Sequence, residues 1–375
     1  MLTGTAGLAG LGFGAAVVGI AATSDDAPPD PGAQTVEFYG EHQAGVATAA
    51  QAHANFIGLD FVDGPDADVL AGALRLWTQD AARLTAGSAG LADTEPELAV
   101  APSNLTVTVG LGEGTFTAPG LASLRPEWLK PLPAFSIDRL EDRWRPTDVL
   151  LQICADDPTT LAHATRVLTS EVRTLLRQVW VQRGFHHRRN LFGQVDGTVQ
   201  PAGSRHDDLL WHDGRGQQWM AGGTSVVLRR IALDMDEWEA LDRPGRELVV
   251  GRKLSNGAPL TGTQEHDEPD FDAAIGGLPV IPSSSHIARA HQRSDREQFL
   301  RRGYNYDEGT GETGLIFAAY QRDPVAQFLP VQQRLAEHDD LNVWTTPIGS
   351  AVYAVLPGAT RDAPLGMSLL GTRMG

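Results

Sequence analysis

The feature that most restricts what this chain can fold into is that it repeats itself. In the first half, residues 56–61 read as a strand, and residues 68–84 place Val69, Ala73, Leu74, Trp77, Ala81 and Leu84 on one helical stripe. The alternating segment 104–110 predicts a half-buried strand that closes on the turn Gly110-Leu111-Gly112. A third strand, 148–154, runs into Asp157-Pro158, a helix cap followed by the residue suited to a first helical position. The helix that follows turns Leu161, Ala164, Leu168, Val172 and Leu175 inward, and 177–181 makes a fourth strand. This order is βαββαβ, the split unit of ferredoxin-like folds. The second half replays it with strand 224–228, a helix opened by an Asp234/Glu237 capping box, strand 315–320, Asp323-Pro324, the helical stripe Phe328, Val331 and Leu335, and strand 350–355. Repetition of both order and punctuation predicts duplication. We therefore expect an α+β protein of two ferredoxin-like (βαββαβ) domains with antiparallel sheets, residues 36–205 and 206–375. The sheets would stack face to face or close into a barrel of the dimeric α+β type, with a ligand cavity between sheet and helices.

The replay breaks at one place. Where a plain alternating strand is due, the chain gives Ser283-Ser284-Ser285-His286-Ile287-Ala288-Arg289-Ala290-His291, then Arg301-Arg302-Gly303-Tyr304-Asn305-Tyr306. Breaks in a consistent pattern are where function is expected.

Composition narrows the chemistry. With 30 basic against 47 acidic side chains the formal net charge is -17, so nucleic acid is not an expected partner. The single cysteine, Cys154, sits in an apolar run and leaves neither a disulfide nor a thiolate cluster. Any metal must be held by His or carboxylate, or arrive inside a cofactor. Residues 1–23 carry no charge and are rich in Gly, Ala and Leu. We read them as the remnant of an export signal, followed by an acidic, Pro-rich linker at 24–35. Leu2-Thr3-Gly4 is the kind of sequence that follows a twin-arginine pair. A membrane anchor is the alternative, disfavoured by the many glycines, and the mature chain is expected to have no stable membrane span.

Three polar features could carry chemistry. Gly193-Gln194-Val195-Asp196-Gly197-Thr198 flanks a carboxylate with glycines, His286 is followed five residues later by His291, and Arg301-Arg302 forms a basic pair. Taken singly these are a turn, solvated loop histidines and a surface pair. Together, Asn190 to Thr198, Ser285-His286-Ile287 and Arg301-Arg302-Gly303-Tyr304 resemble the dye-decolourising haem peroxidases. Glu37 to Val46 is similar to the N-terminal segment of that family and Ala319 to Pro324 to its C-terminal half, so the resemblance spans residues 36–357. The Gln43-Ala44-Gly45 opening points to the secreted bacterial branch.

The resemblance implies two ferredoxin-like domains with haem b in the second. Residue by residue, it makes His286 the axial ligand of the iron, Asp196 the distal acid and Arg302 the distal arginine. Gly193 and Gly197 would let the backbone approach the haem. Asp339 is the candidate carboxylate behind the histidine, with Asp340 beside it as the alternative. The chain departs from the family at Ala288 and at His291-Gln292, which keeps His291 as a competing ligand. The implied activity is reduction of hydrogen peroxide and oxidation of bulky organic dyes or phenolic reductants. A carboxylate base stays ionised at acidic pH where an imidazole base is already protonated, so an acidic optimum is expected. Electrons would leave through oxidisable side chains, for which Trp219, Trp344, Tyr304, Tyr306, Tyr320 and Tyr353 are candidates. The alternatives are an exported haem protein of iron acquisition, oxidising ferrous iron or releasing iron from haem, and a non-catalytic haem carrier. Export of a folded, haem-loaded chain would suit the twin-arginine route to the cell envelope or beyond.

Overall fold

The computed structural model describes residues 32–309 and 311–374, so the expected export signal and most of its linker lie outside the described residues. The first repeat comprises β1 (His53–Phe61), α1 (Ala67–Thr85), β2 (Thr106–Leu111), β3 (Val149–Ala155), α2 (Pro158–Ser170) and β4 (Leu176–Phe185). The second comprises β5 (Thr224–Leu233), α3 (Met235–Ala240), α4 (Arg243–Val250), α5 (His286–Ala290), β6 (Leu300–Asp307), β7 (Thr313–Gln321), α6 (Phe328–His338) and β8 (Thr345–Val355).

All eight strands close into one barrel in the order β1-β3-β2-β8-β5-β7-β6-β4, every neighbouring pair antiparallel. Cut at its two thinnest seams, the barrel separates into β4-β1-β3-β2 and β8-β5-β7-β6. These are the same ferredoxin-like strand order written twice, which is the duplication read from the sequence. The seams are short: β8 meets β2 through Ala354↔Leu111 and Val355↔Gly110, and β4 meets β6 through Phe185↔Asn305.

Local signals explain most elements. Asp66 caps α1 by accepting from the N–H groups of Asp68 and Val69, and Asp157 caps α2 by accepting from Thr160 N–H at 2.8 Å. Asp234 caps α3 through Glu237 N–H. Asp323 does not repeat the Asp157 role. Its carboxylate accepts from Val325 and Ala326 N–H in a turn, and α6 begins only at Phe328.

Closure turns one face of each sheet into a lumen. Val107 and Val109 pack with Leu151, Ile153 and the apolar stripe of α1 outside the barrel. Thr106 and Thr108, on the other face of β2, look into the lumen rather than into water as the alternation predicts. There Gln51 Nε2 donates to Thr106 Oγ1 at 3.1 Å, and Thr108 Oγ1 donates to the Ala44 carbonyl at 2.6 Å. The second repeat also keeps the strand whose place the break in the pattern occupies. It is β6, displaced by the insertion 251–299, and it contains the Arg301-Arg302 pair. Among the described residues no helix is long and apolar enough to cross a membrane.

One buried carboxyl sets a pH dependence. Glu171, at the C-terminal end of α2, faces Asp80 of α1. Burial, reinforced by that neighbouring carboxylate, pushes the Glu171 carboxyl up to about 9. The folded state then keeps a proton that the unfolded chain releases, so stability falls as pH rises from about 4.5 to about 9. Glu171→Gln is neutral at every pH. Thermal melts should show it gaining on the native protein steadily across that window and matching its pH response below it.

Candidate active site

His286 opens α5, and its surroundings fix the ring. Gly251, the left-handed residue ending α4 (φ +85°), packs so closely on this turn that a Cβ there would lie 2.6 Å from Ile287 Cγ1 and 3.0 Å from Ser285 Oγ. Two acids at the end of α6 hold the segment from the other side. Asp339 Oδ2 accepts from His286 Nδ1 at 2.6 Å, while Asp340 Oδ2 accepts from Ser284 Oγ at 2.6 Å and Asp340 N–H donates to the Ser284 carbonyl. The acid behind the imidazole is thus Asp339. Burial pulls the His286 pKa down, but the charge and hydrogen bond of Asp339 outweigh it and hold the ring above its ordinary value. A third of the His286 side chain (33%) is accessible, while Asp339 behind it is buried. With Nδ1–H given to Asp339, the Nε2 lone pair is the free end. His291 is exposed, its ring edge-on to Phe271.

Asp196 sits on the loop after β4. Gly193 and Gly197 have φ of +82° and +79°, and a Cβ on either would meet nothing nearer than 3.6 Å. Glycine is required here by backbone conformation rather than by crowding from the protein. The loop is pinned by Arg189, which donates to the carbonyls of Gly193 and Leu254, and by Asp196 N–H donating to the Arg188 carbonyl. One Asp196 oxygen accepts from Gly197 N–H at 2.7 Å. The other lies 3.7 Å from the point where a Gly303 Cβ would stand.

That contact decides which arginine belongs to the site. Along a strand, successive side chains take opposite faces. Gly303 pairs with Phe317 and Arg301 with Ala319, so Arg301 shares the face that looks towards Asp196, and its charge is felt at His286 as is that of Asp196. The structure places Arg302 elsewhere, correcting the expectation from the motif. It pairs opposite Ala318, is 4% exposed in the barrel lumen, and donates to the carbonyls of Thr48 and Ala49 and to Gln51 Oε1. The signal was present in the sequence: once 300–307 is a strand, adjacent arginines cannot face one cavity.

The aromatic candidates separate as well. Tyr304, Tyr306, Tyr320 and Tyr353 line the lumen, buried, each with its phenol pushed up by burial. Trp219 is buried and donates to the Leu124 carbonyl. Trp344 is half-buried, edge-on to Trp238 at 5.3 Å.

Comparison with known proteins agrees with this geometry. Residues 43–186 match the Dyp-type peroxidase N-terminal family model and residues 187–360 the Dyp-type peroxidase C-terminal model. The chain is 36% identical over 372 residues to a dye-decolorizing peroxidase of Thermobifida fusca, covering 90% of this chain and 86% of that one. It is 35% identical over 371 residues to a deferrochelatase of Escherichia coli K12, covering 89% and 86%. Among solved structures, a DyP-type peroxidase from Cellulomonas bogoriensis superposes with a TM-score of 0.89 at 49% identity, covering 91% and 99%. Ferric DtpA from Streptomyces lividans does so with 0.85 at 36%, covering 91% and 98%. Two family models that together span most of the chain, on a duplicated barrel with an acid, a guanidinium and a carboxylate-backed imidazole in one site, identify the chain as a member of the Dyp-type peroxidase family, a peroxidase and thus an oxidoreductase.

Proposed function

We propose that the chain holds haem b through His286 and uses it to reduce hydrogen peroxide at the expense of bulky dyes or phenolic reductants. The observation that carries this reading is the His286–Asp339 pair, which leaves Nε2 as the free end of a ring that is one-third accessible and that the charges of Arg301 and Asp196 reach. The residues fit such a group. Haem would need one imidazole from the protein, with a carboxylate behind it to raise its basicity, and His286 and Asp339 would supply both. Half-buried Leu315 and Phe317, on the sheet face shared with Arg301 and Gly303, offer apolar wall.

When bound, haem iron would supply the redox step, taking up the oxidising power of peroxide and passing it to reductants. The chain's own contribution is proton transfer and charge stabilisation. Asp196 would take a proton from the peroxide and return it to the departing oxygen. The Arg301 guanidinium stabilises the negative charge that develops there, the role that the motif assigned to Arg302. Asp339 holds the His286 tautomer. Gly193 and Gly197 set the loop so that the Asp196 carboxylate points inward. Export by the twin-arginine route, on the strength of the uncharged 1–23 segment, and a division near residue 205 complete the proposal.

Relatives named deferrochelatase support a second reading, in which iron is released from haem or ferrous iron is oxidised. Steady-state turnover of a dye, of ferrous iron and of haem by one preparation separates the readings. Faster release of iron from haem than oxidation of dye would replace the first with the second.

The site assignments are tested by substitution. His286→Ala should abolish the Soret band of protein purified with haem. Asp339→Asn should retain the fold but loosen haem by about 10- to 100-fold in competition with a haem acceptor. In stopped-flow reaction with peroxide, Asp196→Asn and Arg301→Ala should each slow the first step by about 10²-fold or more. Arg302→Lys should leave that rate near native and lower the melting temperature instead. Normal peroxide kinetics in Arg301→Ala, with loss in Arg302→Lys, would reverse the assignment.

A further inference from the structure

Strand β6 has an open edge beside the site. By strand parity the backbone groups of Asn305, Gly303 and Arg301 face the same edge, the one towards β4. There β4 pairs only through Phe185↔Asn305, so Gly303 and Arg301 lack a strand partner on that side. Side chains take its place. His186 Nδ1 lies 3.1 Å from the Gly303 carbonyl. Gln200 supplies both halves of a missing peptide group: its Oε1 accepts from Arg301 N–H at 2.9 Å, and its Nε2 donates to the Arg301 carbonyl at 2.8 Å.

Gln200 belongs to the loop that carries Asp196. Residues 196–200 are aligned with 303–301, with Asp196 against Gly303 at one end and Gln200 on Arg301 at the other. Val199 adds a third tie, its carbonyl accepting from Arg301 Nη2 at 2.7 Å. Among the described residues that is the one hydrogen bond of the guanidinium, which leaves Nε and Nη1 as free donors. The loop thus holds the Arg301 backbone at two points and its head at a third. Two contacts fix both the place and the twist of a strand residue, whereas one leaves a hinge. Both polar atoms of the Gln200 amide are engaged in this way, so Gln200 bears on the chemistry through Arg301.

We propose that Gln200 is a positioning residue for the peroxide step, a side-chain substitute for the absent strand partner that sets where the Arg301 guanidinium stands relative to Asp196. This rests on the role given above to Arg301. Gln200 is half-buried, so water can take over the two backbone groups when the amide is removed. The loss is then local: the barrel and the His286 side stay intact while the guanidinium drifts. A misplacement of about 1 Å is enough to cost about 10²-fold in rate.

The test is a double-substitution cycle in the haem-loaded holoenzyme. Fluoride is the probe, an anion that binds ferric haem and accepts a hydrogen bond from a donor beside it. Gln200→Met keeps the length of the side chain and loses both contacts. It should raise the fluoride dissociation constant about tenfold and slow the reaction with peroxide about tenfold, with the Soret band and the rate of haem loss unchanged. Gln200→Asn keeps the amide but is one methylene short of reaching both backbone groups, and should fall between Gln200→Met and native. In an Arg301→Ala background, Gln200→Met should add nothing to either loss, as for residues that act through one group. Full additivity marks a merely structural role and overturns the proposal. So does native fluoride affinity in Gln200→Met when Arg301→Ala weakens it. Native affinity and native peroxide kinetics in Arg301→Ala itself would instead remove the role of Arg301 on which the proposal rests. If Gln200→Met does not load haem, Gln200→Asn in the same cycle decides the matter.

Discussion

Closure of the barrel means that every strand turns one face into an enclosed lumen. A residue of β1 to β8 points either into the lumen or outward, and a step of one along the chain changes which. This alternation governs every functional side chain on the sheet. It sends Arg301 to the site and Arg302 to the lumen, Thr108 inward and Val109 outward, Arg230 inward and Arg229 outward onto Asp138. The polar groups sent inward must find partners there, because water cannot solvate them. Arg302 meets this condition with backbone carbonyls and Gln51, and Tyr320 with Gln152. The N-terminal segment 43–51 is thereby drawn into the lumen, where Gln43 also bonds to β2 and to Leu356.

The His286–Asp339 bond lives on the other side of this division. A carboxylate buried beside an imidazole is costly unless its oxygens are used, and both are: one by His286 and one by Leu341 N–H. Asp340 spends its own carboxylate on Ser284. The two consecutive acids thus grip consecutive parts of one loop, and the ring orientation is set by backbone as well as by the Asp339 hydrogen bond. The short α5 has no side-chain cap of its own, so this external grip stands in for helical stability in holding the histidine.

Much of this was legible in the sequence, and the parts that were not have a common cause. Helices α1 and α2 announced themselves through Asp caps and apolar stripes, and α3 through its Asp cap alone, because these signals act within a few residues. The duplication was legible because it recurs in order. Local reading failed where a distant element decides. The alternation Thr106 to Val109 is the pattern of a solvated face, and only closure converts that face into a lumen. Asp323-Pro324 copies the letters of Asp157-Pro158, yet α6 starts later because its Phe328 must meet Phe299 and Phe317 across the sheet. Arg302 was chosen by motif, and the pleat that overrules it became visible only once β6 was recognised behind its insertion.

The acid and the guanidinium meet because of where the two repeats join. The weaker seam, a single pair between β4 and β6, releases the chain after Phe185 into the loop that carries Asp196. On the opposing strand the same seam lies two residues from Gly303, the residue against which Asp196 rests. Asn305 and Gly303 tie the departing chain back, with Asn305 Nδ2 donating to the Arg189 carbonyl and His186 Nδ1 lying 3.1 Å from the Gly303 carbonyl. A longer ladder at this edge would extend β4 past Phe185 and carry residues 186–196 away along the strand axis. The short seam therefore does structural and chemical duty at once: it closes the barrel, and by ending early it frees the chain to turn Asp196 onto the face that Arg301 shares.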